Sequence, residues 1–174
     1  MRRLLLLRHA KTEPHRADDH GRDLTARGRD DAEAIGRHIA GESLVPDLAL
    51  VSTALRARET WRLAGAAFPE PVAALFDRAL YHAAPDTILR LVRSALPDAR
   101  SLAVVGHNPG LGELMRRLAG SGDAAGLALL SEKVPTGALA VLDFDAPSWD
   151  ALREGAGRLE RFVTPRSLGL RRPG

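Results

Sequence analysis

Four consecutive leucines near the amino terminus constrain the fold more than any other feature. Residues 4–7 form a continuous apolar run, which is typical of a central strand covered on both faces. Such a strand needs helices on both sides of its sheet, as in α/β proteins. Arg8 and His9 follow the run directly. The pattern therefore predicts a buried strand with two basic residues at its carboxyl end.

Strand-like and helix-like patterns alternate along the rest of the chain. Further strands are expected at residues 48–51, 72–76, 102–105 and 138–142, with a last edge strand at 158–163. Helices are expected from a Thr25 cap to about residue 41, at 54–67, at 85–96, and from Asn108 and Pro109 to about 120. The glycine-rich stretch 120–126 looks mobile. This order predicts an α/β fold, a three-layer αβα sandwich with a mostly parallel central sheet.

Length and composition indicate one domain. A chain of 174 residues, 45% of them hydrophobic, can bury a single core of ordinary size. The absence of cysteine excludes disulfides and thiolate metal sites. We expect the domain to span residues 1–164 and residues 165–174 to form a flexible tail.

The charge pattern argues against a nucleic-acid-binding protein. The net charge is +3 and the pI about 10.1, but the arginines are scattered among 22 acidic residues and aromatics make up only 4%. No stretch is long enough to cross a membrane, and the first apolar run is too short for a signal peptide. We therefore expect a cytoplasmic protein without nucleic-acid or membrane partners, and the pattern predicts no particular oligomeric state.

Basic residues also follow two other predicted strands. Arg56 lies on the first turn of the helix after strand 48–51, and His107 follows strand 102–105. The carboxyl ends of strands in an open α/β sheet form the crevice where ligands bind. Arginines and histidines meeting there predict a site for an anion, and a phosphoryl group matches the guanidinium fork. The alternatives are a surface position for Arg56 and an ordinary capped turn at 106–110.

Five motifs carry a family resemblance. They are Leu-Arg-His-Ala at 7–10, Val-Ser-Thr-Ala-Leu-Arg-Ala-Arg-Glu-Thr at 51–60, Leu-Tyr-His-Ala at 80–83, Gly-His-Asn-Pro-Gly at 106–110 and Pro-Thr-Gly-Ala at 135–138. In this order the chain resembles the histidine phosphatase (phosphoglycerate mutase-like) superfamily, and within it the SixA-type phosphohistidine phosphatases, from residue 4 to about 142. The resemblance implies that His9 is the nucleophile and that Arg8, Arg56 and His107 form the phosphate pocket. Ala10 departs from the glycine of the wider superfamily.

The chemistry of such a site can be stated from the residues themselves. A neutral imidazole can attack phosphorus and take the phosphoryl group, which divides hydrolysis into two displacements. His9 must then offer one bare nitrogen while the other donates to a backbone carbonyl or similar acceptor. The scheme needs no metal and no cofactor. A metal site at His15, Asp18, Asp19 and His20 is the weaker reading, because these residues lack a tight ligand spacing.

The proton donor for the leaving group is less evident. Some histidine phosphatases have an aspartate directly after the second histidine, where this chain has Asn108. Tyr81 and His82 are the nearest candidates, and the first loop adds Asp18, Asp19 and Asp23. A phosphohistidine substrate would ease the problem, because its imidazole leaving group can take a proton from solvent.

We therefore predict a metal-independent phosphatase that forms a covalent phosphohistidine and acts on protein phosphohistidine. A phosphatase of small phosphomonoesters or nucleotides is the first alternative. The expected partner is accordingly either a phosphorylated protein or, under this alternative, a small phosphorylated substrate. A non-catalytic phosphate- or phosphoprotein-binding module is the second. The candidate substrate-binding residues are Tyr81, His82, Asn108, Thr136 and Gly137.

Overall fold

A seven-stranded sheet forms the centre of the protein. The structure is a computed structural model, and it describes residues 1–14 and 17–170. The strands are β1 (Arg2–Arg8), β2 (Leu48–Ser52), β3 (Ala73–Asp77), β4 (Ser101–Gly106), β5 (Ala119–Gly122), β6 (Leu139–Phe144) and β7 (Gly157–Val163). Their order across the sheet is β3-β2-β4-β1-β6-β7-β5. The pairs β3–β2, β2–β4, β4–β1 and β5–β7 are parallel, and β6 runs antiparallel to both β1 and β7.

Helices cover both faces of this sheet. They are α1 (Ala26–Gly41), α2 (Leu55–Gly65), α3 (Pro85–Arg93), α4 (Gly110–Leu118) and α5 (Ala124–Glu132). Helices α1 and α2 pack with Leu5 and Leu7 on one face, whereas α3, α4 and α5 pack with Leu4 and Leu6 on the other. All four leucines are at most 1% exposed. The predicted three-layer sandwich with a mostly parallel sheet is confirmed.

The prediction of a mobile stretch at 120–126 was wrong, since it contains most of β5 and the start of α5. A Cβ on Gly120 would lie 1.8 Å from the Gly155 carbonyl oxygen, and Gly122 has φ +125° against Leu159. The glycines therefore allow close backbone approach. Asp123 caps α5 by accepting a hydrogen bond from the Gly126 amide, at 2.7 Å. Consequently β7 lies inside the sheet, and β5 forms the edge that was expected of β7.

Three helices differ slightly from the prediction at their ends. Helix α3 ends at Arg93 and not at 96; Pro97 disfavours helical backbone at Leu96, the predicted last residue. Helix α4 spans Gly110–Leu118 with Pro109, and not Asn108, at the N-cap position, while Asn108 Oδ1 accepts a hydrogen bond from the Gly112 amide. The predicted helix at 54–67 is α2, which is shorter at both ends.

The last described residues continue past β7. Residues 164–170 form turns, and Leu168 packs against the core on the α1–α2 face. Residues 171–174 lie outside the described part of the chain, so the flexible tail stays a prediction. Within residues 1–14 and 17–170, no helix is both long and apolar enough to cross a membrane.

Candidate active site

Four basic residues meet at the carboxyl ends of β1, β2 and β4. Arg8 ends β1 and pairs in register with Gly106, so His9 and His107 follow neighbouring parallel strands. Their ring centroids are 5.2 Å apart. Arg56 comes from the first turn of α2, directly after β2, and is 1% exposed. The structure thus brings together Arg8, His9, Arg56 and His107, as the sequence predicted.

The His9 ring is held in one orientation. Its Nδ1 lies 2.8 Å from the Ala10 carbonyl oxygen and therefore carries the proton, which leaves a lone pair on Nε2. The Ala10 amide donates to Thr60 Oγ1 at 3.0 Å, and the Gly137 amide donates to the His9 carbonyl at 2.9 Å. Burial, assisted by the Arg8 charge, lowers the pKa of His9 to about 3, although the Ala10 hydrogen bond opposes the shift. The ring is therefore neutral at neutral pH.

The His107 ring is oriented by a serine of β2. Its Nε2 lies 2.7 Å from Ser52 Oγ, which also accepts from the Ala54 amide at 3.3 Å. The serine hydroxyl can then donate to Nε2, and this tautomer places the ring proton on Nδ1. That atom is buried and has no hydrogen-bond partner within the described part of the chain. Burial, followed by the neighbouring His9 and Arg56, lowers the pKa of His107 to about 2.

Both arginines have side-chain donors without a partner among the described residues. Arg8 donates through Nη1 to the Val134 carbonyl at 3.0 Å, and Arg56 through Nη1 to the Asp19 carbonyl at 2.8 Å. The Nε atoms of both are buried and have no partner among residues 1–14 and 17–170. Burial and the charge of Arg56 lower the pKa of Arg8, so the two cations repel each other there. An oxyanion between the two guanidinium groups would offset that repulsion.

Asp19 is central to the other side of the site. Its Oδ2 accepts a short hydrogen bond from the Tyr81 hydroxyl and lies 3.2 Å from Arg56 Nη2 and 3.1 Å from His82 Nε2. The Tyr81 hydrogen bond, with smaller effects of His82 and the arginines, holds the pKa of Asp19 well below its usual value. Burial and the same hydrogen bond raise the pKa of Tyr81. At neutral pH Asp19 is therefore ionised and has no proton to donate.

The remaining acids of the first loop serve local structure. Asp18 accepts from the Gly21 amide, and Asp23 pairs with Arg29 at 3.0 Å. His20 contacts Thr53 Oγ1 through Nε2 at 2.9 Å, and His15 lies outside the described residues. Within the described ranges, no group of three or more metal-binding side chains occurs.

The other candidate substrate-binding residues have different surroundings. Asn108 uses both polar atoms in the fold, since Nδ2 donates to the Val134 carbonyl at 2.8 Å and Oδ1 accepts from Gly112. Gly137 has φ +76° and gives its amide to the Arg8 and His9 carbonyls. Its amide is therefore occupied by the backbone of β1. Thr136 lines an adjacent pocket, whereas Tyr81 and His82 both lie against the His107 ring, each at 5.6 Å between centroids.

Two positioning residues were missed by the sequence analysis. Ser52 orients His107, and Thr60 accepts from the Ala10 amide while donating to the Arg56 carbonyl at 2.6 Å. Both are fully buried. They lie within the motif at 51–60, but only the fold shows which groups they contact.

The two buried histidines predict a pH-dependent stability. Below pH 6.5 the unfolded chain binds protons that His9 and His107, with pKa values of about 3 and about 2, do not bind in the folded state. For each of the two histidines, the free energy of unfolding then falls by about 1.4 kcal/mol per pH unit well below pH 6.5. Between pH 7 and pH 5 the loss is about 2 kcal/mol for each histidine.

Urea denaturation at these two pH values tests this expectation. The variant His9→Ala should lose about 2 kcal/mol less than the wild type over this range. The change with pH is compared within each protein, so a cavity in the variant does not affect the result. Equal losses in both proteins would contradict a neutral, buried His9.

Known proteins with similar sequence and structure place this chain in a family. The model of the histidine phosphatase superfamily (branch 1) matches residues 4–79. An uncharacterised protein of Mycobacterium tuberculosis is 37% identical over 164 residues, which cover 92% of this chain and all of that protein. The crystal structure of a provisionally named phosphohistidine phosphatase SixA from Agrobacterium tumefaciens is 30% identical, with a TM-score of 0.77 over 94% of this chain and 98% of its own. The chain belongs to the histidine phosphatase superfamily, in its SixA-type branch.

A second SixA-type structure agrees with this placement. It is a protein from Nakamurella multipartitia with the same provisional name, 27% identical, with a TM-score of 0.80 over 94% of this chain and 96% of its own. The superfamily model includes Arg8, His9 and Arg56, and the SixA-type structures extend the likeness over nearly the whole chain. The similarity in fold to SixA-type proteins thus extends well beyond residues 4–79, which the superfamily model matches.

Proposed function

We propose that this protein hydrolyses phosphoryl groups carried on histidine side chains of other proteins, through a covalent phosphohistidine at His9. The orientation of the His9 ring carries the proposal. With Nδ1 donating to the Ala10 carbonyl, the neutral ring has its lone pair on Nε2, and the charges of Arg8 and Arg56 are near enough to lower the pKa of this ring. A nucleophile next to an oxyanion site is what phosphoryl transfer needs.

The reaction follows from these groups. Nε2 of His9 attacks phosphorus in line, and the bond from phosphorus to the substrate's imidazole nitrogen breaks. The departing imidazole takes a proton from solvent. Water then attacks the phosphorylated His9, releases inorganic phosphate and returns the ring to its neutral form. Arg8, Arg56 and His107 hold the phosphoryl oxygens throughout, where positioning and electrostatics supply most of the rate.

The state of the possible acids favours a phosphohistidine over a phosphate ester. Asp19 is ionised, and Tyr81 gives its hydroxyl proton to Asp19. Of the residues around His107, His82 is the remaining candidate donor, and its side chain is 55% exposed. An alkoxide leaving group depends on such a donor, whereas a departing imidazole does not.

A substrate panel tests the proposed function. We expect kcat/KM for a phosphohistidine peptide to exceed that for small phosphate esters and nucleotides by about 10²-fold or more, the low end of what a general acid contributes. An ester hydrolysed equally well would favour the small-molecule phosphatase. Phosphate binding without turnover of any substrate would favour the binding module.

The candidate proton donor can be tested separately. We expect His82→Ala to slow ester hydrolysis by about 10²-fold, while phosphohistidine hydrolysis changes much less. Tyr81→Phe keeps the ring packed against His82 but removes the hydroxyl that binds Asp19, so it separates an effect of Tyr81 from that of His82. Equal losses on both substrates in His82→Ala would show that His82 binds or positions the substrate.

Activity should survive exhaustive treatment with a chelator. The proposed chemistry uses guanidinium and imidazole groups only, and inorganic phosphate or vanadate should compete with substrate for them. Loss of activity on chelation, with recovery on adding a divalent ion, would contradict this expectation and favour a metal site in the first loop.

A further inference from the structure

A second pocket lies beside the candidate active site and has a basic rim. It has a volume of about 360 Å³, and we call it the basic pocket. The chain contains only two lysines, Lys11 and Lys133, and both line it. The other charged residues that line it are Arg27, Arg166, Asp31 and Glu132.

The rim carries cations that no carboxylate of the described residues neutralises. Lys11, Lys133 and Arg166 are exposed, and none forms an ion pair with a carboxylate in residues 1–14 or 17–170. Arg27 and Asp31 also line the pocket, but both already have partners. Four cationic and two acidic side chains thus surround the basic pocket, which therefore favours an acidic ligand.

The floor of the pocket is apolar. Leu129 is 47% exposed there, although it is a large hydrophobic residue, and Phe162, Pro135 and Pro165 complete the surface. An apolar floor beneath a charged rim fits a peptide segment, which offers apolar and carboxylate side chains together.

Two residues that line the basic pocket lie next to the site around His9. Lys11 is two residues after His9, so their Cα atoms are at most about 7.6 Å apart. Thr136 in the pocket precedes Gly137, whose amide donates to the His9 carbonyl at 2.9 Å. An extended segment advances about 3.3 Å per residue, so side chains two to four positions from a substrate phosphohistidine bound opposite His9 would lie within the range of such a neighbouring pocket.

We propose that the basic pocket binds an acidic segment flanking the phosphohistidine of the substrate protein. This inference rests on the proposed phosphatase function and adds a substrate preference to it. The cations on the rim would select carboxylates near the phosphorylated side chain, and the apolar floor would hold one hydrophobic side chain of the same segment.

Matched peptides and charge reversals test the inference. Two phosphohistidine peptides are compared, with either glutamate or glutamine at two to four positions on both sides of the phosphohistidine. For the wild type we expect kcat/KM to be about 5- to 10-fold higher for the glutamate peptide, mainly through KM, because each exposed charge pair contributes a factor of about two to five. The preference should disappear at about 0.5 M salt.

The double variant Lys133→Glu/Arg166→Glu should lose this preference, and Lys133→Gln/Arg166→Gln should reduce it. The control Arg100→Glu/Arg153→Glu changes the net charge by the same amount. Both residues are exposed, and they precede β4 and β7 at the amino ends of these strands, opposite the site. It should keep the preference. All four proteins should hydrolyse a small phosphoramidate equally, because neither charge pair belongs to the site around His9.

The outcomes separate the two proposals. A wild type inactive on both the small phosphoramidate and the peptides would contradict the proposed function. Activity without a glutamate preference, or a preference that survives the reversal in the pocket, would overturn the inference. Loss of phosphoramidate hydrolysis in Lys133→Glu/Arg166→Glu would also overturn it. So would single-stranded DNA that competes with the substrate at least as strongly as the glutamate peptide does.

Discussion

Replacing His9 by alanine is expected to reduce kcat by about 10⁴-fold or more, the range seen when a catalytic nucleophile is removed. The ring supplies the proposed attacking atom, and no other imidazole among residues 1–14 and 17–170 has an equivalent arrangement. The nearest, His107, uses Nε2 to contact Ser52 and is expected to keep a proton on Nδ1. It therefore cannot replace His9 as nucleophile without a change of tautomer.

The covalent phosphohistidine at His9 should also be detectable directly in the wild type. Wild-type protein mixed with substrate and quenched in alkali should carry one phosphoryl group on His9 that is stable in alkali and lost in acid. His38→Ala is the matched control, because His38 lies on α1 beside Arg161 and away from the site. It should keep wild-type turnover and the trapped group. Wild-type rates in His9→Ala, or a phosphoryl group on another residue, would contradict the proposed mechanism.

The second large effect is expected at Arg8. Arg8→Gln should lower kcat/KM by about 10²- to 10³-fold, the usual loss when one preorganised donor to a developing anion is removed. Arg8→Lys keeps the charge but not the planar fork, so an intermediate loss is expected. The inhibition constant for vanadate should rise in parallel, because the same guanidinium would hold that anion.

Stability should not follow activity in Arg8→Gln. Burial and the Arg56 charge both disfavour the charged form of Arg8 in the folded protein, so removing its charge relieves repulsion when no anion is bound. We therefore expect a Tm equal to or above that of the wild type, together with the loss of activity. Arg153→Gln, on an exposed residue far from the site, should change neither quantity. Wild-type vanadate inhibition in Arg8→Gln would show that Arg8 does not hold the phosphoryl group.

The ionised state of Asp19 affects how the site works as a whole. Its carboxylate accepts from Arg56, Tyr81 and His82, so it ties the first loop to the turn after β3. Because one of these partners is Arg56, a bound phosphoryl group and Asp19 would share the same guanidinium. Asp19 is thus a positioning residue in the proposed site and not its proton donor.

Much of the fold could be predicted because it depends on short-range patterns. The run of leucines at 4–7 required a strand covered on both faces, and the cap at Thr25 marked the start of α1, where its side chain accepts from the Gly28 amide. Basic residues directly after strands had to lie at one edge of a parallel sheet. This placed Arg8, His9 and His107 together, because strand direction and chain order decide where a residue next to a strand is found.

Only the tertiary structure decided the features that join distant segments. The sequence of the glycine-rich stretch 120–126 does not distinguish a mobile loop from a packed segment. The structure shows that Gly120 and Gly122 pack against the backbone of Gly155 and Leu159. The orientation of His107 depends on Ser52, 55 residues away, and that of Asp19 on Tyr81, 62 residues away. The sequence by itself determined which chemical groups reach the edge of the sheet. Their hydrogen bonds, protonation states and the basic pocket beside them arise from loops whose side-chain directions follow no periodic pattern.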